Sequence, residues 1–286
     1  MKLKIKKWGA AEHLFKKPGS IVLLIGKRGT GKSVLMQDLA KTMSDNGNID
    51  MAIGFSPTDE SNGALSMFIP KSLIHSEFDE NVIERIVNSQ KKLLKQGKPL
   101  KRIFLFMDDV GYDSKKIFSS KIIKNLFFNG RHYSIGLMLI MQYCIDVPTW
   151  ARSNIDVTIS LKEQILVNRE KLFKNFFGAF TSQSSFNQAM DVLTENYKAL
   201  VCANNLSQSN ELTDTIFWYK ARHGLEPFLL GSTVVKKMDK LCYEDRELIL
   251  EEQRQREKAR KDQANIERVV PTDEDGMTVY SKRRVQ

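Results

Sequence analysis

The strongest constraint on this chain is one octapeptide, Gly26-Lys27-Arg28-Gly29-Thr30-Gly31-Lys32-Ser33. It satisfies the phosphate-binding pattern G-x-x-x-x-G-K-[ST] at every fixed position. Its flanks agree. Ser20-Ile21-Val22-Leu23-Leu24-Ile25 is apolar and β-branched, which predicts a buried parallel strand. Val34, Leu35, Leu39 and Met43 recur at helical spacing behind it. A strand, a glycine loop and a helix N-terminus in that order form an anion cradle, with backbone N–H groups turned inward and the helix dipole favouring negative charge. Gly26, Lys27, Arg28, Gly29, Thr30, Gly31, Lys32, Ser33 and Val34 are therefore the expected nucleotide-binding residues. In such a cradle Lys32 reaches the β- and γ-phosphates and the Ser33 hydroxyl holds Mg²⁺. A chance glycine-rich turn is the alternative, and it needs neither the strand nor the helix.

The rest of the first two-thirds alternates strand and helix signals. Strands are expected at 51–55, 102–107, 135–141 and 156–161, and helices at 79–96, 115–128 and 168–177. That alternation specifies an α/β fold with a mostly parallel sheet flanked by helices. Residues 197–202 and 215–219 read as two further strands, a C-terminal β-hairpin added to the sheet edge. Composition shifts near Val235. Beyond it 13 Lys/Arg face 12 Asp/Glu, and pairs such as Glu252/Arg256 support an exposed helix. The expected division is an ATPase domain over 1–235 and a charged tail over 236–286. The tail is helical to about Val269 and disordered from Pro271, and should be dispensable for hydrolysis.

Hydrolysis requires acidic groups at the tip of a neighbouring strand. Ile103-Phe104-Leu105-Phe106-Met107-Asp108-Asp109 fits, because ligands in open α/β sheets bind at the carboxyl ends of strands. Asp108 is the expected Mg²⁺ partner and Asp109 the group that orients and polarises water. Neighbouring residues on a strand face opposite ways, so both can serve one site only where the chain turns, a role assigned to Gly111. A strand-end Asp-Asp that merely caps a loop is the alternative. Gln142 ends the next strand, and its amide can donate to phosphate and accept from water. It could equally be an ordinary strand-end hydrogen bond. Arg131 and Arg152 are candidates to act on the nucleotide of an adjacent subunit. Arg28 could act within its own loop, and any of the three could be a plain surface arginine.

The net charge of +10 resides almost wholly on the first 235 residues, since the remainder sums to +1. This favours a polyanionic partner, although a solvated basic surface explains it as well. The three cysteines and four histidines have no metal spacing, and free thiols of a reducing compartment are expected. No apolar run approaches the ~20 residues of a membrane span. The guanine-reading N-K-x-D run does not occur.

Taken together, GKRGTGKS, FLFMDDV, NGRHYSIGLMLIMQ and DVPTWARSNID resemble the genome-packaging ATPases of nucleocytoplasmic large DNA viruses. These are poxvirus-type members of the FtsK–HerA group of P-loop translocases. The resemblance runs from about Ile21 to about Tyr219. Its more specific part is the GRH stretch before a strand ending in Gln, followed by V-P-x-x-x-R-x-N. One departure is Asp109, which stands where many relatives carry a longer glutamate. The resemblance implies a RecA-like core, ATP and Mg²⁺ as cofactors, and assembly of identical subunits into a ring with ATP between them. It further implies nonspecific binding of double-stranded DNA, a capsid or portal protein as partner, and a location in the host cytoplasm at the viral factory or in the virion. An ATP-gated DNA-binding or scaffold protein that does not translocate, and a small-molecule kinase, are the competing readings.

Overall fold

A computed structural model describes residues 5–15, 18–46, 49–109, 114–144, 147–204 and 211–266. The expected disordered end and the turn assigned to Gly111 lie outside the described residues. The elements, in chain order, are β1 (Lys6–Lys7), α1 (Ala10–Phe15), β2 (Ile21–Ile25), α2 (Lys32–Asp45), β3 (Met51–Phe55), α3 (Asp59–Asn62), β4 (Ile74–His75), α4 (Glu80–Lys95) and β5 (Ile103–Met107). They continue as α5 (Ser114–Ser119), α6 (Lys121–Asn129), β6 (Ile135–Met141), α7 (Thr149–Arg152), β7 (Val157–Ser160), α8 (Leu166–Phe176), α9 (Gln183–Leu193), β8 (Lys198–Ala203), α10 (Leu212–Thr215), β9 (Ile216–Lys220) and α11 (Thr233–Ile266).

The strands form one sheet in the order β1-β9-β8-β7-β2-β6-β5-β3-β4. Only β8 runs against the others, pairing antiparallel with both β7 and β9. Every residue of β2, β5 and β6 is buried, as expected of a parallel sheet covered on both faces. Alternate side chains feed two cores. Leu23, Leu105, Leu137 and Leu139 pack with Ile83, Ile123, Leu172 and Phe186 of the helices on one face. Val22, Leu24, Phe106, Met138 and Ile140 pack with Leu14, Leu35, Leu39 and Met43 on the other. The period of two along each strand makes that division.

Local chemistry sets the boundaries. The Asp79 carboxylate accepts from the Asn81 N–H and starts α4. Inside α4, the buried Gln90 amide donates to the Lys101 and Tyr133 carbonyls at 2.5 and 2.7 Å, tying the helix to the entries of β5 and β6. The expected single helix over 115–128 is two. Ser120 is extended, and its hydroxyl caps α6 by accepting from the Ile123 N–H. Apolar periodicity continues across that break, so pattern reading merges the two helices. The expected hairpin strands are β8 and β9, but they are not the last in the sheet, because β1 docks outside β9. Two-residue β1 and β4 fall below what periodicity can detect, and α9 also has no counterpart in the sequence reading.

The chain divides into two compact units, Met1–Lys237 and Met238–Gln286. The first contains the whole sheet. The described part of the second is helical, with an exposed Glu252–Arg256 ion pair at 3.7 Å. Among the described residues no helix is long and apolar enough to cross a membrane, and no group of three or more His, Cys, Asp or Glu could hold a metal.

Candidate functional site

The sheet converges on the loop between β2 and α2. The Gly26 N–H donates to the Met141 carbonyl at 3.1 Å, tying the loop to the end of β6. A Cβ on Gly26 would lie 2.7 Å from Thr30 Oγ1 and 2.9 Å from Leu161 Cδ1, so any side chain there would have to displace them. Gly31, with φ 98°, opens α2 in the left-handed region, and no side chain caps the helix. The first N–H groups of α2 are thus left for an anion. The Thr30 hydroxyl donates to the Lys27 carbonyl at 2.7 Å and Lys32 Nζ donates to the same oxygen at 3.0 Å. The Lys27 side chain turns outward to Glu163, at 2.7 Å. Glu163 in turn accepts from the Ile165 N–H and from Asn168.

A cavity of about 700 Å³ opens beside this loop. Of the expected nucleotide residues, Arg28, Gly29, Gly31, Lys32, Ser33 and Val34 line it. Gly26, Lys27 and Thr30 do not, and their contacts instead hold the loop in shape.

Asp108, Asp109 and Gln142 line the same cavity. The Asp108 N–H donates to the Phe55 carbonyl at 2.9 Å as β5 ends. The turn needed to bring both carboxylates together occurs at Asp109 itself, whose φ is 54°. Aspartate tolerates this region better than most residues. Its N–H donates to Asp108 Oδ1 at 3.0 Å, and its own Oδ1 accepts from Gln142 Nε2 at 3.2 Å. Burial pushes the Asp108 carboxyl above the ordinary range, and the Asp109 charge adds to this. Burial likewise lowers the Lys32 ammonium, opposed by Asp108 and Asp109.

The two downstream arginines lie elsewhere. Arg131 is exposed in the short 3₁₀ turn Gly130–Tyr133 that precedes β6, with its backbone against Gly19. Gln142 follows the other end of that seven-residue strand, roughly 23 Å away at 3.3 Å per residue. Arg152 donates through Nε to the Val147 carbonyl at 2.8 Å and through Nη1 to Asn175 Oδ1. Neither lines the cavity of its own chain.

Sequence reasoning missed two groups of lining residues. Thr58, Ser61 and Asn62 follow β3, which β6 and β5 separate from β2 and whose carboxyl end lies on the same edge of the sheet as the loop, so the strand-end rule could have found them. Tyr197, Ala221 and His223 line the other flank, and no motif marks them.

Comparison with known proteins places this geometry in context. The family model described as "Poxvirus A32 protein" matches residues 7–214. Uncharacterized protein L437 of Acanthamoeba polyphaga mimivirus is 31% identical over 230 residues, covering 78% of this chain and 79% of that protein. Uncharacterized protein 088R of Invertebrate iridescent virus 3 is 32% identical over 203 residues, covering 71% and 76%. Among solved structures, B204, the DNA-packaging ATPase from Sulfolobus Turreted Icosahedral Virus, superposes with a TM-score of 0.51 at 18% identity, over 72% of this chain and all of B204. The genome packaging NTPase B204 from Sulfolobus turreted icosahedral virus 2, in complex with ATP-gammaS, gives a TM-score of 0.50 at 19% identity, over 71% and 97%. At these identities the structural likeness speaks for a shared fold.

Proposed function

The chain belongs to the poxvirus A32 protein family, and from that premise we propose that it is an ATPase that drives double-stranded DNA during viral genome packaging. The observation that carries the reading is one cavity bounded by Lys32, Ser33, Asp108, Asp109 and Gln142. These are the groups that phosphoryl transfer to water requires, collected from three adjacent strand ends. The described work of the B204 proteins, DNA packaging and binding of ATP-gammaS, supports the same assignment.

Each residue has a role that follows from its contacts. The open N–H groups at the start of α2 receive the phosphates. Lys32 leaves the Lys27 carbonyl for the β- and γ-phosphate oxygens, where its charge offsets theirs. Asp109 accepts a proton from the attacking water, and Gln142 fixes the carboxylate's orientation through the 3.2 Å bond. The Gln142 carbonyl oxygen remains to accept from the same water. Mg²⁺ fits the residues present. The Ser33 hydroxyl makes no hydrogen bond to a described residue, and Asp108 bears an adjacent like charge that a cation would balance. When bound there by Ser33 and Asp108, the ion would neutralise charge developing on the phosphates.

The active assembly is a ring of identical subunits. Arg131, exposed at the far edge of the sheet, is the arginine available to a neighbouring copy's γ-phosphate, whereas Arg152 is occupied by Val147 and Asn175. DNA is held through phosphate contacts by the basic core, so binding is nonspecific and falls steeply with salt. A capsid or portal protein receives the motor, with the 236–286 tail as its docking segment. The site of action is the viral factory in the host cytoplasm. The test is ATP turnover by the purified oligomer with and without duplex DNA. DNA should stimulate turnover, and both Lys32→Ala and Asp109→Asn should abolish it. Tight ATP binding with slow turnover that DNA leaves unchanged would replace the motor with an ATP-gated switch.

A further inference from the structure

The cavity has two flanks, and hydrolysis uses one of them. In the sheet order, β6 and β5 lie on one side of β2 and carry Gln142, Asp108 and Asp109. On the other side lie β7, β8 and β9. Because β8 runs antiparallel to β7 and to β9, the start of β8 and the end of β9 return to the edge where the phosphate loop is. Tyr197 immediately precedes β8, and Ala221 and His223 follow β9. A triphosphate with its terminal group at the aspartates extends its nucleoside end toward this second flank.

Tyr197 is held there against backbone preference. Asn196 and Tyr197 are consecutive non-glycine residues with φ of 52° and 59°. Asparagine tolerates this region, but a tyrosine there is costly and persists where the fold over-determines it. The ring serves no core, since the residue is 65% exposed. It stands over the cradle, because a Cβ on Gly31 would lie 3.4 Å from Tyr197 Cδ1. The neighbouring segment after β9 is fixed as firmly. Asp38, on the helix that begins at the loop, accepts from Arg222 Nε at 2.6 Å, from the Arg222 N–H at 3.0 Å and from the Tyr219 hydroxyl at 2.8 Å. These bonds fasten Arg222, which lies between Ala221 and His223, to α2.

We infer that Tyr197 is the stacking platform for the base of the bound nucleotide, with Ala221 and His223 lining the same flank. The inference rests on the nucleotide reading of the cradle and deepens it. A flat, exposed ring beside a phosphate loop recognises the π-face that every base has. The platform therefore supplies affinity for a nucleoside triphosphate over a bare triphosphate, and little choice between ATP and GTP.

The test is calorimetric titration of the full chain with ATP, GTP and inorganic tripolyphosphate. Tyr197→Gly is the informative variant, because glycine takes φ of 59° freely and removes the ring without a backbone penalty. It should weaken ATP and GTP by about tenfold or more and leave tripolyphosphate within about twofold of the wild type. Tyr197→Trp should keep nucleotide affinity and show indole quenching with ATP but not with tripolyphosphate. Unchanged ATP affinity in Tyr197→Gly, or an equal loss for tripolyphosphate, overturns the platform while leaving the cradle standing. A wild-type chain that binds neither ATP nor tripolyphosphate sinks the nucleotide reading and the platform with it.

Discussion

Replacing Asp38 should reveal how the outer strands are fastened to the phosphate-loop helix. The carboxylate is fully buried, at 0% exposure, and has three donors from the end of β9. Their contributions differ. The Tyr219 hydroxyl is buried, and a hydrogen bond to a charged acceptor there is worth about 2 kcal/mol. The backbone N–H of Arg222 adds about 1 kcal/mol. The guanidinium is 52% exposed, so its ion pair is discounted for solvent to about 0.5 kcal/mol. Removing the carboxylate also removes its own desolvation cost, which returns about 1 kcal/mol. Asp38→Ala should therefore cost about 2–3 kcal/mol, Tyr219→Phe about 1–2, and Arg222→Ala about 0.5 kcal/mol, because the backbone N–H bond survives that change. The three share one acceptor, so double variants should fall short of additivity. Equilibrium urea unfolding of the full chain, followed by far-UV circular dichroism, measures each midpoint against a common slope. The ranking is the test. If Arg222→Ala costs as much as Asp38→Ala, the half-exposed ion pair dominates and the burial argument is wrong. A loss below about 0.5 kcal/mol in Asp38→Ala refutes the fastening itself.

Two glycines with the same φ of 79° should separate strain from collision. At Gly19 a Cβ would lie 2.4 Å from Arg131 Cα, and Gly19→Ala should cost at least about 2 kcal/mol more than Gly29→Ala, whose Cβ meets nothing within 4 Å. A thermal melt that shifts equally in both would contradict this. The thiols should also divide. Cys242 is exposed, whereas Cys144 and Cys202 are buried, and burial pushes the Cys202 thiol up to about 12. Ellman's reagent at pH 8 should titrate one fast thiol, lost in Cys242→Ser, and the other two only after denaturation.

Local signals carried most of the catalytic reading. GKRGTGKS encodes its own conformation, because glycines and a helix start act within a few residues. The strand ending in Asp108-Asp109 is legible because a continuous apolar run has one meaning in an α/β chain. The alternation of strands and helices gave the parallel sheet and the order of its elements. Where a signal was local but ambiguous, reading failed at the boundary. The Ser120 cap that splits α5 from α6 is a single hydroxyl inside a continuous apolar pattern.

The sequence by itself determined that this chain has a glycine-rich loop between a strand and a helix, an acidic strand end and a mainly parallel sheet. Those properties come from contacts between near neighbours and from the fixed periods of helix and strand. Only the tertiary structure decided which distant groups meet. Asp38 and Arg222 are 184 residues apart, Gln142 and Asp109 are 33 apart, and Tyr197 reaches Gly31 only because β8 reverses direction. It also sent Arg131 to the far edge, since a parallel strand carries its two ends to opposite sides of the sheet. Such encounters depend on strand order and direction, which no short window of residues encodes.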